Sequence, residues 1–175
     1  IPEDWDITTS AKPEEVKRLF QATIDTGLQH GTVTVVIEKE GFEVTTFRLD
    51  GDYTDGRHPD RVAFTSSLTE DLRRRDFTIN AMAYSEKRGL IDEFDGERDL
   101  EDGIIRAVGD ACERFSEDAL RMLRAIRFAG QLNFKIADET FDAIKELSPN
   151  IAKVSVERIA KELEKLLLSG NPEYI

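Results

Sequence analysis

The strongest constraint on the fold is the segment "GTVTVVIEKEGFEVTTFRL", residues 31–49. Two runs rich in β-branched residues flank "EKEG", a pattern typical of a β-hairpin. The opening "WDITTS" alternates apolar and polar positions and predicts a further short strand. Between them, "KPEEVKRLF" predicts a helix, with Pro13 in its first turn. The early part of the chain is therefore expected to form a sheet with at least one helix.

The segments after the hairpin change in character. "DGDYTDGRHPD" is rich in Gly, Asp and Pro and predicts a loop. "TEDLRRRDFTINAMAYSE" is predicted to be helical, since Ala81 and Met82 are good helix formers. "LIDEF" and "IIRAV" are two short strand candidates, separated by "GERDLEDG".

Beyond Asp110 the pattern indicates helices alone. "SEDALRMLRAIRFAGQLNF" has Ser116 as its predicted N-cap, and "DETFDAIKEL" follows. "SVERIAKELEKLLLSGNP" has Ser155 as a cap, with Gly170 and Pro172 as stop signals. The expected fold class is thus α+β, a mixed sheet with helices over residues 1–110 and an all-α part over residues 111–175.

Charge and composition exclude several classes of protein. The 175 residues carry 24 basic and 36 acidic side chains, a net charge of -12, so bulk positive charge is not available to hold nucleic acid. A nucleic-acid partner would need a local patch, metal ions, or a region outside this sequence. No apolar run is long enough for a membrane span, and the single cysteine, Cys112, fits a reducing compartment such as the cytoplasm.

Asp4 and Asp6 are the first candidate site residues. On a strand, residues i and i+2 point to the same side, so two carboxylates can share a divalent cation such as Mg²⁺. Glu43, an acid among apolar residues of the second hairpin run, is a candidate third carboxylate. The alternative is ordinary surface charge, because the turn at residues 50–52 carries the same Asp-x-Asp spacing.

The first arginine cluster is "DLRRRDFTIN", in which Arg75 adjoins Asp76 and Asn80 follows four residues later. The planar guanidinium donates two hydrogen bonds at once and suits phosphate, while a neighbouring acid can accept from a sugar hydroxyl. A solvated basic turn with local ion pairs is the competing interpretation.

The second cluster is "EDALRMLRAIRF". Asp118 and Arg121 are three residues apart and are expected on one helical face, while Arg124 and Arg127 continue a basic ridge. An acceptor beside a donor can hydrogen-bond to the edge of a nucleobase. The competing interpretation is an intrahelical salt bridge between Asp118 and Arg121.

Taken in order, these motifs resemble the bacterial class II tRNA nucleotidyltransferases, the CCA-adding enzymes, which share a head with bacterial poly(A) polymerases. The resemblance covers almost the whole chain. It is carried by "PEDWDITTSA", "HGTVTVV", "FEVTTFR", "DGRHPD", "EDLRRRDFTINAMAY", "LIDEFDGERDLEDGIIRAVGD" and "EDALRMLRAIRFA".

This resemblance implies a polymerase-β-like nucleotidyltransferase head, residues 1–110, followed by a helical neck that templates the nucleotide, residues 111–175. It implies catalysis with two Mg²⁺ ions and transfer of CMP and AMP from CTP and ATP to the tRNA 3′ end. Two alternatives stay open. One is a poly(A) polymerase of the same superfamily, and the other is a non-catalytic nucleotide- or RNA-binding module.

The resemblance also implies roles for individual residues. Asp4 and Asp6 would bind the metals, with Glu43 as an additional sheet carboxylate. The nucleotide would be bound by the two arginine clusters. Within them, Arg75, Asp76 and Asn80 belong to the motif for sugar and triphosphate, Asp118 and Arg121 template C or A, and Arg124 and Arg127 face phosphates.

Three features differ from the family pattern or extend beyond the chain. Asp95 stands where the family commonly has a glycine, in a segment implied to be a hinge. The family's Gly-Gly-x-Val-Arg-Asp stretch, expected before Asp4, does not occur in the sequence, nor does the helical body that grips tRNA. By contrast, the loop "DGRHPD" matches the family's loop that is needed for addition of A. The chain is thus expected to be a head-and-neck portion of a longer enzyme.

Overall fold

The computed structural model describes residues 5–51 and 62–174, which divide into two compact units. The sheet unit contains the described residues up to Asp71, and the helical unit contains those from Leu72 onward. Asp4 and the loop "DGRHPD", both named above, lie outside the described residues.

A four-stranded sheet organises the sheet unit. Its order is β1-β4-β3-β2, where β1 is Ile7–Thr9, β2 is Thr23–Gly27, β3 is Thr32–Ile37 and β4 is Glu40–Thr46. Strands β3 and β4 form the predicted hairpin, and β1 runs parallel to β4. The predicted hairpin and first strand are therefore confirmed.

The hairpin turn consists of Glu38 and Lys39, both with positive φ, at 52° and 72°. Such two-residue turns match the right-handed twist of the flanking strands. The predicted helix is confirmed as α1, Pro13–Leu19. It packs on one face of the sheet, where Val16 joins a small valine core with β3 and β4. The remaining elements of this part are β5 (Arg48–Asp50), β6 (Val62–Phe64) and α2 (Leu68–Arg73).

The helical unit is built around two buried phenylalanines, Phe77 and Phe115. Phe77 meets Phe128 edge to face, with ring centroids 5.8 Å apart. The elements of this unit are β7 (Met82–Ser85), β8 (Gly89–Asp92), α3 (Gly96–Asp102), β9 (Ile104–Ile105), α4 (Ala111–Glu117), α5 (Leu120–Leu132), β10 (Lys135–Ile136), α6 (Asp138–Leu147) and α7 (Val156–Leu167).

The single helix predicted over residues 69–86 is wrong. Helix α2 ends at Arg73, a 3₁₀ turn follows at Thr78–Asn80, and β7 then pairs with β8. Phe77 is held extended by an antiparallel bridge to Ala107, and the Thr78 amide donates to the Arg106 carbonyl at 2.9 Å. Burial of Phe77 outweighs the helix propensity of the residues that follow it.

Three smaller predictions also need correction. "GERDLEDG", taken as a separator, contains α3. Ser116 lies inside α4 instead of capping a helix, because Asp110 caps α4 and accepts from the Glu113 amide at 2.9 Å. The part after residue 110 includes β10, which pairs with β9.

The helices predicted for "DETFDAIKEL" and "SVERIAKELEKLLLSGNP" are confirmed, and Ser155 is at the N-cap position of α7.

A tightly bonded turn precedes α3, in the segment implied to be a hinge. The Asp92 carboxylate accepts from the amides of Phe94, Gly96 and Glu97, at 3.3, 2.9 and 2.8 Å. Asp95 adopts a left-handed conformation, φ 59°, which a non-glycine residue adopts at some cost. A Cβ on Gly96 would lie 2.3 Å from the Thr78 carbonyl oxygen, so only glycine fits there without a shift.

The α+β fold class is confirmed, with a mixed sheet followed by a helical part. The division into a head, residues 1–110, and a neck, residues 111–175, stays a prediction. None of the helices among the described residues is long and apolar enough to cross a membrane.

Candidate functional site

Two of the three candidate acids, Asp6 and Glu43, lie in the described part of the sheet unit. Ile7 pairs with Val44 in the parallel β1–β4 register, and continuing that register back by one residue places Asp6 opposite Glu43. Both acids are exposed, and their side chains have no hydrogen bond or ion pair among the described residues. Opposite residues of paired strands point to the same face, so the two carboxylates share one side of the sheet.

That side of the sheet is polar. Threonine hydroxyls bond across the strands, with Thr32 and Thr45 3.0 Å apart and Thr26 and Thr34 2.9 Å apart. Because side chains alternate along a strand, the opposite side is apolar and forms a cleft of about 430 Å³ against α1. The apolar lining includes Val16, Leu19, Phe20, Val35, Phe42 and Val44. The acids therefore lie on the side suited to charged ligands.

The residues that the structure describes contain no group of three or more His, Cys, Asp or Glu side chains able to hold a metal. Asp6 and Glu43 supply two exposed carboxylates, and Asp4 is outside the described range. Carboxylate oxygens are the hard ligands that Mg²⁺ prefers, usually one or two of them with substrate phosphates. The donor set thus fits a magnesium ion.

In the helical unit, Asp76 is almost completely buried and receives four donors. Its Oδ1 accepts from the Phe77 amide at 2.9 Å and from Asn80 Nδ2 at 3.2 Å. Its Oδ2 accepts from Arg124 Nε at 2.8 Å and lies 2.6 Å from Arg124 Nη2. Four donors fill the acceptor capacity of a carboxylate, so Asp76 is rigidly oriented.

Arg75, Asp76 and Asn80 are brought together, although not within the helix that was predicted for this segment. Asn80 lies in the 3₁₀ turn, and its carbonyl accepts from Arg75 Nη1 at 3.4 Å. The loop between α2 and this turn therefore gathers an arginine, a carboxylate and an amide.

Asp118 lies at the junction of α4 and α5. Its Oδ1 accepts from the Leu120 amide at 3.0 Å, which fixes the carboxylate against the start of α5. Its ion-pair partner is Arg158 of α7, with Nη2 2.7 Å from Oδ2 and Nη1 3.3 Å from Oδ1. The intrahelical salt bridge with Arg121 considered above does not form.

Arg121 pairs instead with Glu117, at 2.5 Å. Its Nη1 also donates to the Arg114 carbonyl at 3.2 Å, and its Nη2 donates to the Arg74 carbonyl at 3.1 Å. Arg114 in turn donates to the Arg73 carbonyl at 3.3 Å. Two guanidinium groups thereby fix the loop that carries the first arginine cluster.

Arg124 and Arg127 share Glu162 as a counter-charge. Glu162 and Arg127 are both buried, and Arg127 Nε lies 2.5 Å from Glu162 Oε2. Arg124 Nη1 is 3.9 Å from Glu162 Oε1, and the Arg127 guanidinium stacks 4.0 Å from the centre of the Phe128 ring. The phosphate-facing role of these two arginines stays a prediction, and in this structure Arg127 is occupied by its carboxylate partner.

Sequence analysis missed Arg158 and Glu162, which lie 40 and 35 residues from their partners Asp118 and Arg127. A local signal was present. The two residues are one helical turn apart and adjoin the apolar positions Ile159 and Leu166, so they face the interior of the unit with them. Charged residues beside an apolar stripe indicate buried ion pairs.

Comparison with known proteins gives two family matches and many similar sequences. Residues 1–106 match the poly(A) polymerase head domain, and residues 133–175 match a probable RNA- and SrmB-binding site of polymerase A. CCA-adding enzymes of Pediococcus pentosaceus and Ligilactobacillus salivarius are 58% and 55% identical over 97% of this chain. The chain spans about two-fifths of their length, 43% and 42%.

Solved structures of CCA-adding enzymes are also similar to this chain. The CCA-adding enzyme of Bacillus stearothermophilus in complex with CTP is 49% identical, with a TM-score of 0.87 over 98% of this chain and 41% of that one. The Thermotoga maritima enzyme complexed with tRNA is 29% identical, with a TM-score of 0.76 over 99% of this chain and 40% of that one.

Proposed function

Because this chain belongs to the family of the poly(A) polymerase head domain, we propose that it is the nucleotide-handling part of an enzyme that adds CMP and AMP to the 3′ end of tRNA. CTP and ATP are the substrates and Mg²⁺ is the cofactor. Residues 133–175 match a probable RNA-binding region, and parts of the protein outside this chain would supply the rest of the grip on tRNA. The single cysteine fits a cytoplasmic enzyme.

The observation that carries this proposal is that Asp118 and Arg121 each keep an open hydrogen-bonding position. Asp118 Oδ2 has one donor, Arg158, and keeps an acceptor position, while Arg121 Nε has no hydrogen-bond partner among the described residues. Cytosine and adenine both present an amino donor beside a ring-nitrogen acceptor. Uracil and guanine present a carbonyl beside an N–H. A base that meets the Asp118 acceptor with its amino group and the Arg121 donor with its ring nitrogen would be C or A.

The chemistry is assigned to the sheet unit. Asp4, Asp6 and Glu43 would hold Mg²⁺, which when bound activates the RNA 3′-hydroxyl and stabilises the charge of the triphosphate. Arg75, with Asp76 and Asn80 beside it, binds the sugar and triphosphate. Positioning and charge stabilisation then account for catalysis without a covalent enzyme intermediate.

A direct assay tests this function. The complete protein is incubated with Mg²⁺, labelled CTP or ATP, and tRNA lacking its CCA end. Addition of a defined C-C-A sequence is expected. Long A tails on generic RNA would support the alternative, a poly(A) polymerase, which the name of the matched family favours. No incorporation would refute both enzymes and leave a binding module.

A further inference from the structure

The polar side of the sheet continues beyond the two exposed acids. In the extended register of β1 and β4, Asp6 lies opposite Glu43, and Glu43 lies directly opposite Thr34 of β3. Neighbouring strands are about 4.8 Å apart, so the three side chains form a row across the sheet. The row ends at the edge strand β2, where Thr26 Oγ1 lies 2.9 Å from Thr34 Oγ1.

The Thr26 and Thr34 hydroxyls keep hydrogen-bonding capacity. Each hydroxyl carries one donor and two acceptor positions, and the bond between them uses one donor and one acceptor. Neither hydroxyl has another hydrogen-bond partner among the described residues. Thr26 is exposed and Thr34 is half-buried, so one O–H donor and the remaining acceptor positions are open to a ligand on this side of the sheet.

Gly41 fixes the orientation of Thr34. Gly41 precedes Glu43 by two residues on β4 and therefore lies on the same side of the sheet. A Cβ on Gly41 would lie 3.0 Å from Thr34 Cγ2, so the threonine methyl occupies the space that the glycine leaves. Because the methyl and the hydroxyl share a stiff χ1 torsion, this contact keeps the hydroxyl directed at Thr26.

The proposed reaction brings a ribose to the same side of the sheet. The RNA 3′-hydroxyl has to reach the acids Asp6 and Glu43, so the sugar that carries it lies beside them. The 2′-hydroxyl is on the adjacent carbon of that sugar, and it is both a donor and an acceptor. The hydroxyl pair one strand beyond Glu43 offers the complementary acceptor and donor.

We propose that the Thr26–Thr34 hydroxyl pair binds the 2′-hydroxyl of the 3′-terminal ribose of the acceptor RNA. This inference rests on the proposed function and adds to it a site for the acceptor strand. The pair gives the sheet unit a preference for RNA over DNA, because a 2′-deoxyribose has no group for it to bind. The competing role is stabilisation of the sheet alone, which cross-strand threonine pairs also provide.

The test combines a change in the protein with a change in the acceptor. The acceptor is tRNA lacking its CCA end, with either ribose or 2′-deoxyribose at its 3′-terminal nucleotide. We measure kcat/KM for addition of CMP by the complete protein. The wild type should favour the ribose acceptor about fivefold, the effect of one neutral hydrogen bond. Thr34→Val should bring the ratio to about one by lowering kcat/KM for the ribose acceptor alone.

Two further variants control for the loss of a hydroxyl. Thr34→Ser keeps the hydroxyl and should keep the preference. Thr23→Val should also keep it, because Thr23 lies opposite Val35, on the apolar side of the sheet. Thr26→Val serves if Thr34→Val does not fold, and it should weaken the preference in the same direction.

Equal losses on both acceptors in Thr34→Val would overturn the inference and leave a role in sheet stability. If the wild type adds no nucleotide to either acceptor, the proposed function fails separately. Equilibrium binding of the two tRNAs to the complete protein then decides the inference. Tighter binding of the ribose form that Thr34→Val loses would support it, and equal affinities in the wild type would refute it.

Discussion

The charged residues of the two units are held in opposite ways. Asp6 and Glu43 stand exposed on the polar side of the sheet, without side-chain partners among the described residues. Asp76 and Asp118 are each fixed by several donors. A metal ligand needs acceptor positions that are still open, whereas a group that selects a base needs a fixed direction. Each arrangement suits the role proposed for it.

The largest expected effect concerns the sheet unit and tests whether its exposed acids bind metal. Asp6→Asn should lower the rate of nucleotide addition about a thousandfold, because an amide replaces a charged metal ligand. Its melting temperature should stay near that of wild type, since the side chain is exposed. Glu40→Gln, an exposed acid on β4, is the matched control and should leave the rate unchanged. A folding defect in Asp6→Asn with normal activity in the folded fraction would point to a structural role.

The next effect concerns the helical side. Glu162→Gln should lower the free energy of unfolding by about 3 kcal/mol, because it leaves the buried Arg127 guanidinium without its counter-charge. Denaturant unfolding measures this loss. Glu164→Gln, on an exposed position of the same helix, should stay within about 0.5 kcal/mol of wild type. Equal stability of the two variants would contradict the buried ion pair.

A smaller effect tests the turn before α3. Gly96→Ala should cost about 1–3 kcal/mol, since the new Cβ would lie 2.3 Å from the Thr78 carbonyl oxygen and the backbone must shift. Gly170→Ala is the control, because a Cβ there meets no atom within 4 Å. Thermal unfolding separates the two, and an unchanged melting temperature in Gly96→Ala would refute the close approach.

The smallest effect depends on pH. Burial acts to raise the pKa of Asp92, but three backbone amide donors outweigh it and lower the pKa below its ordinary value. The carboxylate therefore stabilises the fold above the pKa it has in the unfolded chain, and this contribution is lost as the pH falls through the lowered folded pKa.

Asp92→Asn should thus cost about 1 kcal/mol at pH 7, by analogy with loss of a helix cap, and progressively less below pH 4. Unfolding free energies at pH 7, 5 and 3 measure the trend, with the exposed Glu93→Gln as the control. A cost that does not change with pH would mean that the hydrogen bonds, and not the charge, matter.

The sheet and its helix were predictable because their signals are local. The hairpin follows from two β-branched runs around Glu38 and Lys39, and α1 from Pro13 and the acids after it. The segment after Arg75 was not predictable in the same way. Its conformation depends on the pairing of Phe77 with Ala107 and of Met82 with Asp92, contacts that helix propensity does not contain.

In the candidate site, too, some features were predictable from local sequence and others depend on distant contacts. Asp118 and Arg121 were identified as a pair from their spacing, and both lie at the junction of α4 and α5. Their actual partners, Arg158 and Glu117, differ from the predicted one. A spacing of three residues permits an ion pair within a helix, but Asp118 precedes α5, so its carboxylate is available to a residue 40 positions away.

The comparison of the two units is tested most directly by one measurement, the rates of CMP and UMP addition by the complete protein carrying Asp6→Asn or Asp118→Ala. If the sheet unit supplies the chemistry and the helical unit selects the base, Asp6→Asn lowers both rates by the same large factor and keeps their ratio. Asp118→Ala then changes the ratio more than it lowers the rate of CMP addition. A changed ratio in Asp6→Asn, or an unchanged ratio in Asp118→Ala, would contradict the account.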